Sequence, residues 1–192
     1  MSRAALLALA TMALVAAAAA AAGCGSGARR PAAAGAGPPV RPELSAGARR
    51  ADLRRALALV GGVSARALGY RVELAPRRDA GLRALTDTGT HTITLFLARD
   101  DAPHRTAHDL AHELGHAWDA DEMTPASRRA YLARRAVPRA RWWPTSGRSD
   151  YDVGAGDFAE VFALCHAASP EFRSRLATRP ANACSILPRG AR

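Results

Sequence analysis

The sequence predicts an α+β domain with its strands gathered ahead of most of its helices. Three observations predict it. Alternating apolar segments cluster between residues 70 and 98, amphipathic runs lie on either side of them, and one of the later runs carries histidines four apart. Helix, then strands, then helices is the order of a segregated α+β chain, not of an interleaved α/β one. The finer expectation is a small, mostly antiparallel sheet packed on the histidine-bearing helix.

The elements follow in order. "MSRAALLALATMALVAAAAAAAGCGSG" has one early charge at Arg3, an uncharged run from Ala4 to Ala22, then small residues. That is the layout of a secretory signal, assigned to residues 1–23, and its alanine-rich half is weakly apolar for a permanent span. Residues 24–44 are Gly-, Ala- and Pro-rich without apolar period, as in a flexible tether. Residues 45–192 form the expected domain, long enough to bury a core of its own.

Within that domain "AGARRADLRRALALV" spaces Ala51, Leu53, Ala56, Leu57 and Val60 as a helix face, and Gly61-Gly62 ends it. "YRVELA" alternates Tyr70, Val72 and Leu74 against Arg71 and Glu73. Asp87-Thr88-Gly89 predicts a turn into a second strand through Thr90, Thr92, Ile93, Leu95, Phe96 and Leu97. Pro103 opens the histidine helix, with Asp100 and Asp101 near its positive end. Its apolar face is Ala107, Leu110, Ala111, Leu114, Ala117 and Trp118. Its polar face carries Arg105, His108, Asp109, His112, His116 and Asp119. Thr124-Pro125 starts another helix, residues 137–156 read as loop, and "DFAEVFALCHAAS" begins a further helix at Asp157. "PEFRSRLA", residues 170–177, is a candidate last helix.

Composition limits the partners. The chain holds 27 basic against 17 acidic residues, a formal charge of +10, and every basic residue is Arg. The arginines fall in scattered pairs such as Arg49-Arg50, Arg77-Arg78 and Arg134-Arg135, with few aromatics between them. A nucleic-acid surface concentrates its charge in one stripe, so no nucleic-acid partner is expected. A solvated basic surface is the plain reading; a face held near an anionic envelope is the functional one.

The chemistry sits in "DLAHELGHAWDA", residues 109–120. At i and i+4 of a helix, His112 and His116 can both reach one ion at about 2.1 Å. Glu113 is rotated away from them, so it is left to hold and deprotonate a water that zinc has acidified to a pKa of about 7. Zn²⁺ is the expected cofactor. The competing account is a solvated helix face with two incidental histidines.

"LAHELGHAWDA" followed by "GDFAEVFA" resembles the zincin metallopeptidases, and within them the gluzincin-like group. The resemblance rests on two short motifs. It implies a peptide or protein substrate and an acidic third metal ligand from the second motif. The family's leading Glu falls on Gly156 here, which leaves Glu160 and Asp157 as the ligand candidates. Whichever does not ligate is a candidate to orient a ligating histidine. Asp157-x-x-Glu160 also reads as a capping-box start. The metzincin variant of the resemblance would use Glu122, but Asp119 stands where that turn needs Gly. By the same resemblance Tyr151 is a candidate oxyanion donor. Trp142 and Trp143 either line a cleft or anchor their loop. His104 and His108 read as exposed helix histidines, His91 as a strand residue and His166 as structural.

"AAGC", residues 21–24, resembles the lipobox of bacterial lipoproteins, with Ala21 where that motif prefers Leu. The resemblance implies lipid on Cys24 and membrane attachment outside the cytoplasm. Three cysteines then reduce to a pair, Cys165 and Cys184, where a disulfide can persist. The functional expectation is an exported, lipid-anchored zinc peptide hydrolase. The alternative is a non-catalytic envelope lipoprotein that keeps the scaffold for binding.

Overall fold

A computed structural model describes residues 44–77, 81–146 and 149–192. The signal-like segment, Cys24 and all of the tether but Leu44 lie outside the described residues, and the rest belongs to one unit, Arg41–Arg192. Helix α1 (Ala46–Leu57) starts where the Ser45 hydroxyl accepts from the Ala48 N–H, which satisfies one of the donors a helix start leaves unpaired. Strands β1 (Arg71–Pro76), β2 (Ala84–Asp87) and β3 (Thr92–Leu97) make one sheet in the order β1-β3-β2. Then come α2 (Pro103–Glu122), α3 (Pro125–Arg134), α4 (Gly154–His166) and the short α5 (Ala183–Ile186). Single 3₁₀ turns occupy Asp150–Asp152 and Arg189–Ala191. The class is α+β, as the sequence predicts.

The sheet is mixed, not mostly antiparallel. β1 runs parallel to β3 over six residue pairs, and β2 runs antiparallel to β3 over four. The cause is the tight return from β2 into β3. Asp87 Oδ1 accepts from the Gly89 and Thr90 N–H groups at 2.9 and 3.1 Å, and the reversal sends β3 back along β1. His91 completes the turn with φ 50° and stacks on Tyr70, ring centroids 4.7 Å apart. His91 is therefore a turn residue. β3 lies between the other two strands, and its Ile93, Leu95 and Leu97 enter the core.

α2 is buried on far more than its apolar face. His108, Asp109, His112, Glu113 and Asp119 are buried alongside Leu110 and Leu114. It crosses α4 at Gly115, where an added Cβ would stand 2.9 Å from the Ala159 Cα. Absence of a side chain at this crossing lets the two backbones approach, which brings the polar residues of both helices together.

Two expectations for the C-terminal half change. α4 starts three residues early, at Gly154, with no side-chain cap; Asp157 and Glu160 are helix-interior residues, so the capping-box reading falls. Residues 170–177 form no helix. Their amides are drawn elsewhere: Arg173 N–H donates to Glu160 Oε2 and Arg175 N–H to the Tyr151 carbonyl at 2.9 Å. Cys165 and Cys184 are joined by a disulfide across a sequence separation of 19. Closing a loop of that size is worth about 3 kcal/mol by chain entropy, and it ties this irregular segment to α4.

Candidate metal centre

His112 and His116 lie one turn apart on α2 with their Nε2 atoms 3.1 Å from each other. The third member comes from neither expected residue. Asp150 Oδ2 stands 3.2 Å from both Nε2 atoms, and among the described residues His112, His116 and Asp150 form the group whose donor atoms converge.

The chemistry of these donors fits a divalent cation. Two ligand atoms about 2.1 Å from one tetrahedral zinc are roughly 3.4 Å apart, close to the spacings found. Glu160 Oε1 accepts from His112 Nδ1–H at 2.9 Å, which leaves the His112 Nε2 lone pair aimed at the other two donors. Three electron-rich atoms facing one point repel unless protons or a cation stand between them. A cation satisfies all three at once. His112 is buried, which alone would push its imidazolium down, but the bonds to Asp150 and Glu160 carry its pKa well above the ordinary value. Burial would likewise raise the Asp150 carboxyl; its bonds to His112 and His116 instead hold it far below the usual range.

Gly156 explains why the acid comes from a turn. The Asp150 carbonyl passes directly over it, and a Cβ at 156 would lie 2.2 Å from that oxygen. The glycine that interrupts the resemblance is thus the seat on which the 3₁₀ turn rests. Ser149 caps the turn by accepting from the Tyr151 N–H. Asp150 was not among the sequence candidates. The signal for it was present in Gly156 together with the Ser-Asp-Tyr-Asp run just ahead.

Glu160 and Asp157 both lie outside the converging group. Glu160 is fully buried behind His112, where Oε1 also accepts from His108 Nε2–H at 3.1 Å. Burial opposes its ionisation, but the bonds from His108 and His112 hold its carboxyl far below the usual range. A carboxylate on the far nitrogen of a ligating histidine sets that ring's tautomer and orientation. His108, read as exposed from the sequence, is completely buried because α4 covers that side of α2. Asp157 turns the other way, accepting from Tyr131 Oη at 2.7 Å, Arg135 Nε at 2.7 Å and Ser174 Oγ at 2.6 Å. It is a structural anchor. Arg135, counted with the surface arginines, is buried to reach it. Glu122 is exposed at the end of α2, and Asp119 accepts from Arg128 and from the Trp142 indole.

Glu113 lies beside the cluster, its Oε2 accepting from the Thr86 hydroxyl of β2 at 2.7 Å. It faces two cavities. One, about 370 Å³, is lined by Arg83, Asp109, Ser149, Tyr151 and Arg173; the other, about 580 Å³, by Leu85, Ala120, Trp143 and Pro144. Glu113 and Asp150 line both. The Tyr151 ring meets the His112 ring edge-on, centroids 5.4 Å apart, and its oxygen accepts from Arg173 Nη1 at 3.2 Å. Arg173 is tied to Asp109 and Glu171 as well.

No family model, curated protein or solved structure matches this chain.

Proposed function

We propose that this protein is a zinc-dependent peptide hydrolase with a zincin-type site, exported and held at a membrane by lipid on Cys24. The observation that carries the reading is the convergence of His112, His116 and Asp150 with Glu113 directly beside them. Bound there, zinc would supply Lewis acidity toward a carbonyl and acidify water. Glu113 then takes the proton from water and hands it to the leaving amine, with Thr86 holding its Oε2 in line. Tyr151, which lines the same cavity as Glu113, donates to the oxyanion, a contact typically worth about 3 kcal/mol. Glu160, and His108 behind it, keep His112 turned toward the donors in front.

An extended substrate fits along β2. β3 is central and has no open edge, whereas β2 lies at the edge of the sheet. Phe96 N–H donates to the Arg83 carbonyl, so by antiparallel alternation Ala84 and Thr86 turn their backbone groups away from β3. Those groups are where a peptide strand would add.

Metal analysis of the purified protein, with peptide cleavage before and after chelation, tests the reading. One tightly held zinc per chain and chelator-sensitive cleavage are expected. A chain that holds no transition metal and takes none up ends the proposal; a chain that holds zinc but cleaves nothing leaves the binding lipoprotein. Cys24→Ser should move the protein out of the detergent phase, and unchanged partitioning would remove the lipid.

A further inference from the structure

Four large apolar side chains are strongly exposed among the described residues: Leu57, Leu82, Leu85 and Trp143. Three of them, Leu82, Leu85 and Trp143, line the same 580 Å³ cavity, the one that Glu113, His116 and Asp150 border. Exposed apolar side chains scattered singly need no account, but a cluster around one hollow marks a binding surface. We infer that this compartment receives a large apolar side chain of the substrate, next to the bond that is cut. The inference rests on the hydrolase reading and adds the class of residue recognised.

The lining argues for that occupant over a charged one. Arg128 is the one cation on the described walls, and it is already committed: Nε donates to Asp119 Oδ1 at 2.8 Å and Nη2 to the Asp119 carbonyl at 2.9 Å. Its guanidinium also lies over the Trp143 ring, 5.1 Å from the centroid, which stiffens that indole as a wall. An acidic side chain would find Arg128 already paired with Asp119 and would approach the carboxylate of Glu113. A basic one would lose water against Leu85, Trp143, Pro144 and Ala120, at a desolvation cost these apolar walls do not offset. An aromatic or branched aliphatic group leaves no polar atom unpaired there.

The two tryptophans divide their labour. Trp142 is the loop anchor, its indole N–H on Asp119 and its ring against Gly154. Trp143, half exposed, is the face that remains for the cavity. The other compartment shares Leu82 and Ala84 with this one but carries the charged side chains Arg83, Asp109 and Arg173 in place of Leu85 and Trp143. A peptide crossing the site would therefore meet two hollows that both border Glu113, one walled by Leu85 and Trp143 and one by charged side chains.

The test compares blocked peptides, identical except for Phe, Leu, Ala, Asp or Lys on each side of the cleaved bond, with the zinc-loaded protein. On one side Phe and Leu should exceed Asp and Lys in kcat/KM by about 10–100-fold. In Trp143→Ala and Leu85→Asp that ratio should fall toward one while zinc content stays at the wild-type level. Cleavage without such preference, or a ratio untouched by both variants, overturns the inference and leaves the hydrolase reading standing. If the zinc-loaded protein cleaves no peptide, the hydrolase reading fails by itself. Binding of a benzyl-bearing hydroxamate against acetohydroxamate, measured by calorimetry, then decides the compartment. A tenfold or greater benzyl advantage that Trp143→Ala abolishes supports it; equal binding overturns it.

Discussion

Replacing Asp150 with Ala is expected to weaken zinc binding by roughly 10²–10³-fold. Structural zinc sites carry about 10–16 kcal/mol over four ligands, so one ligand is worth on the order of 3–4 kcal/mol. Neighbouring carboxylates give the contrast that makes the test sharp. Glu160→Gln should cost less, about 10–100-fold in affinity, because it disturbs only the orientation of His112. Asp157→Ala should lower stability by about 3–5 kcal/mol, since it strands the buried Arg135, yet the folded fraction should keep its metal. Zinc competition with a fluorescent chelator, read beside thermal unfolding, separates the three. Were Asp157→Ala to lose zinc while Asp150→Ala kept it, the assignment of Asp150 would be wrong. Gly156→Ala probes the same seat without touching a ligand: its methyl must displace the Asp150 carbonyl, and zinc affinity should fall with it.

Glu113→Gln is expected to keep zinc and lose about 10²–10⁴-fold in turnover, the usual worth of a general base. The amide keeps the shape and can still accept from the Thr86 hydroxyl, so folding and metal content should barely move. Only the capacity to take a proton is gone. Thr86→Val offers a graded companion: it frees Oε2 from its one side-chain bond to β2 and should cut turnover by a smaller factor than Glu113→Gln, again with zinc retained. Peptide turnover of each variant normalised to bound zinc is the measurement. A Glu113→Gln protein with full activity per zinc would remove Glu113 from the chemistry.

Much of the fold was legible because its signals are local. β1 and β3 alternate, Pro103 and Thr124-Pro125 mark helix starts, and Cys165 and Cys184, the pair left once Cys24 is set aside, are joined. β2 was missed because four residues, Ala-Leu-Thr-Asp, carry too little period to announce a strand. It exists because β3 pairs with it. The supposed helix at 170–177 failed for the complementary reason: its pattern was helical, but Glu160 and the Tyr151 carbonyl claim its amides.

By itself the sequence determined the part of the site that one helical turn can build. His112 and His116 face the same way wherever α2 forms, because the spacing of the helix requires it. The class of the domain and the Glu beside the histidines were determined in the same local manner. Tertiary structure alone decided which acid joins them. Asp150 lies 34 and 38 residues from its partners, and it reaches them because Gly156 leaves room for a turn to settle on α4. Tertiary structure likewise sent Glu160 behind His112 and Asp157 to Arg135. Three carboxylates within one short stretch look alike as letters; the side of α4 on which each lands gives them different partners.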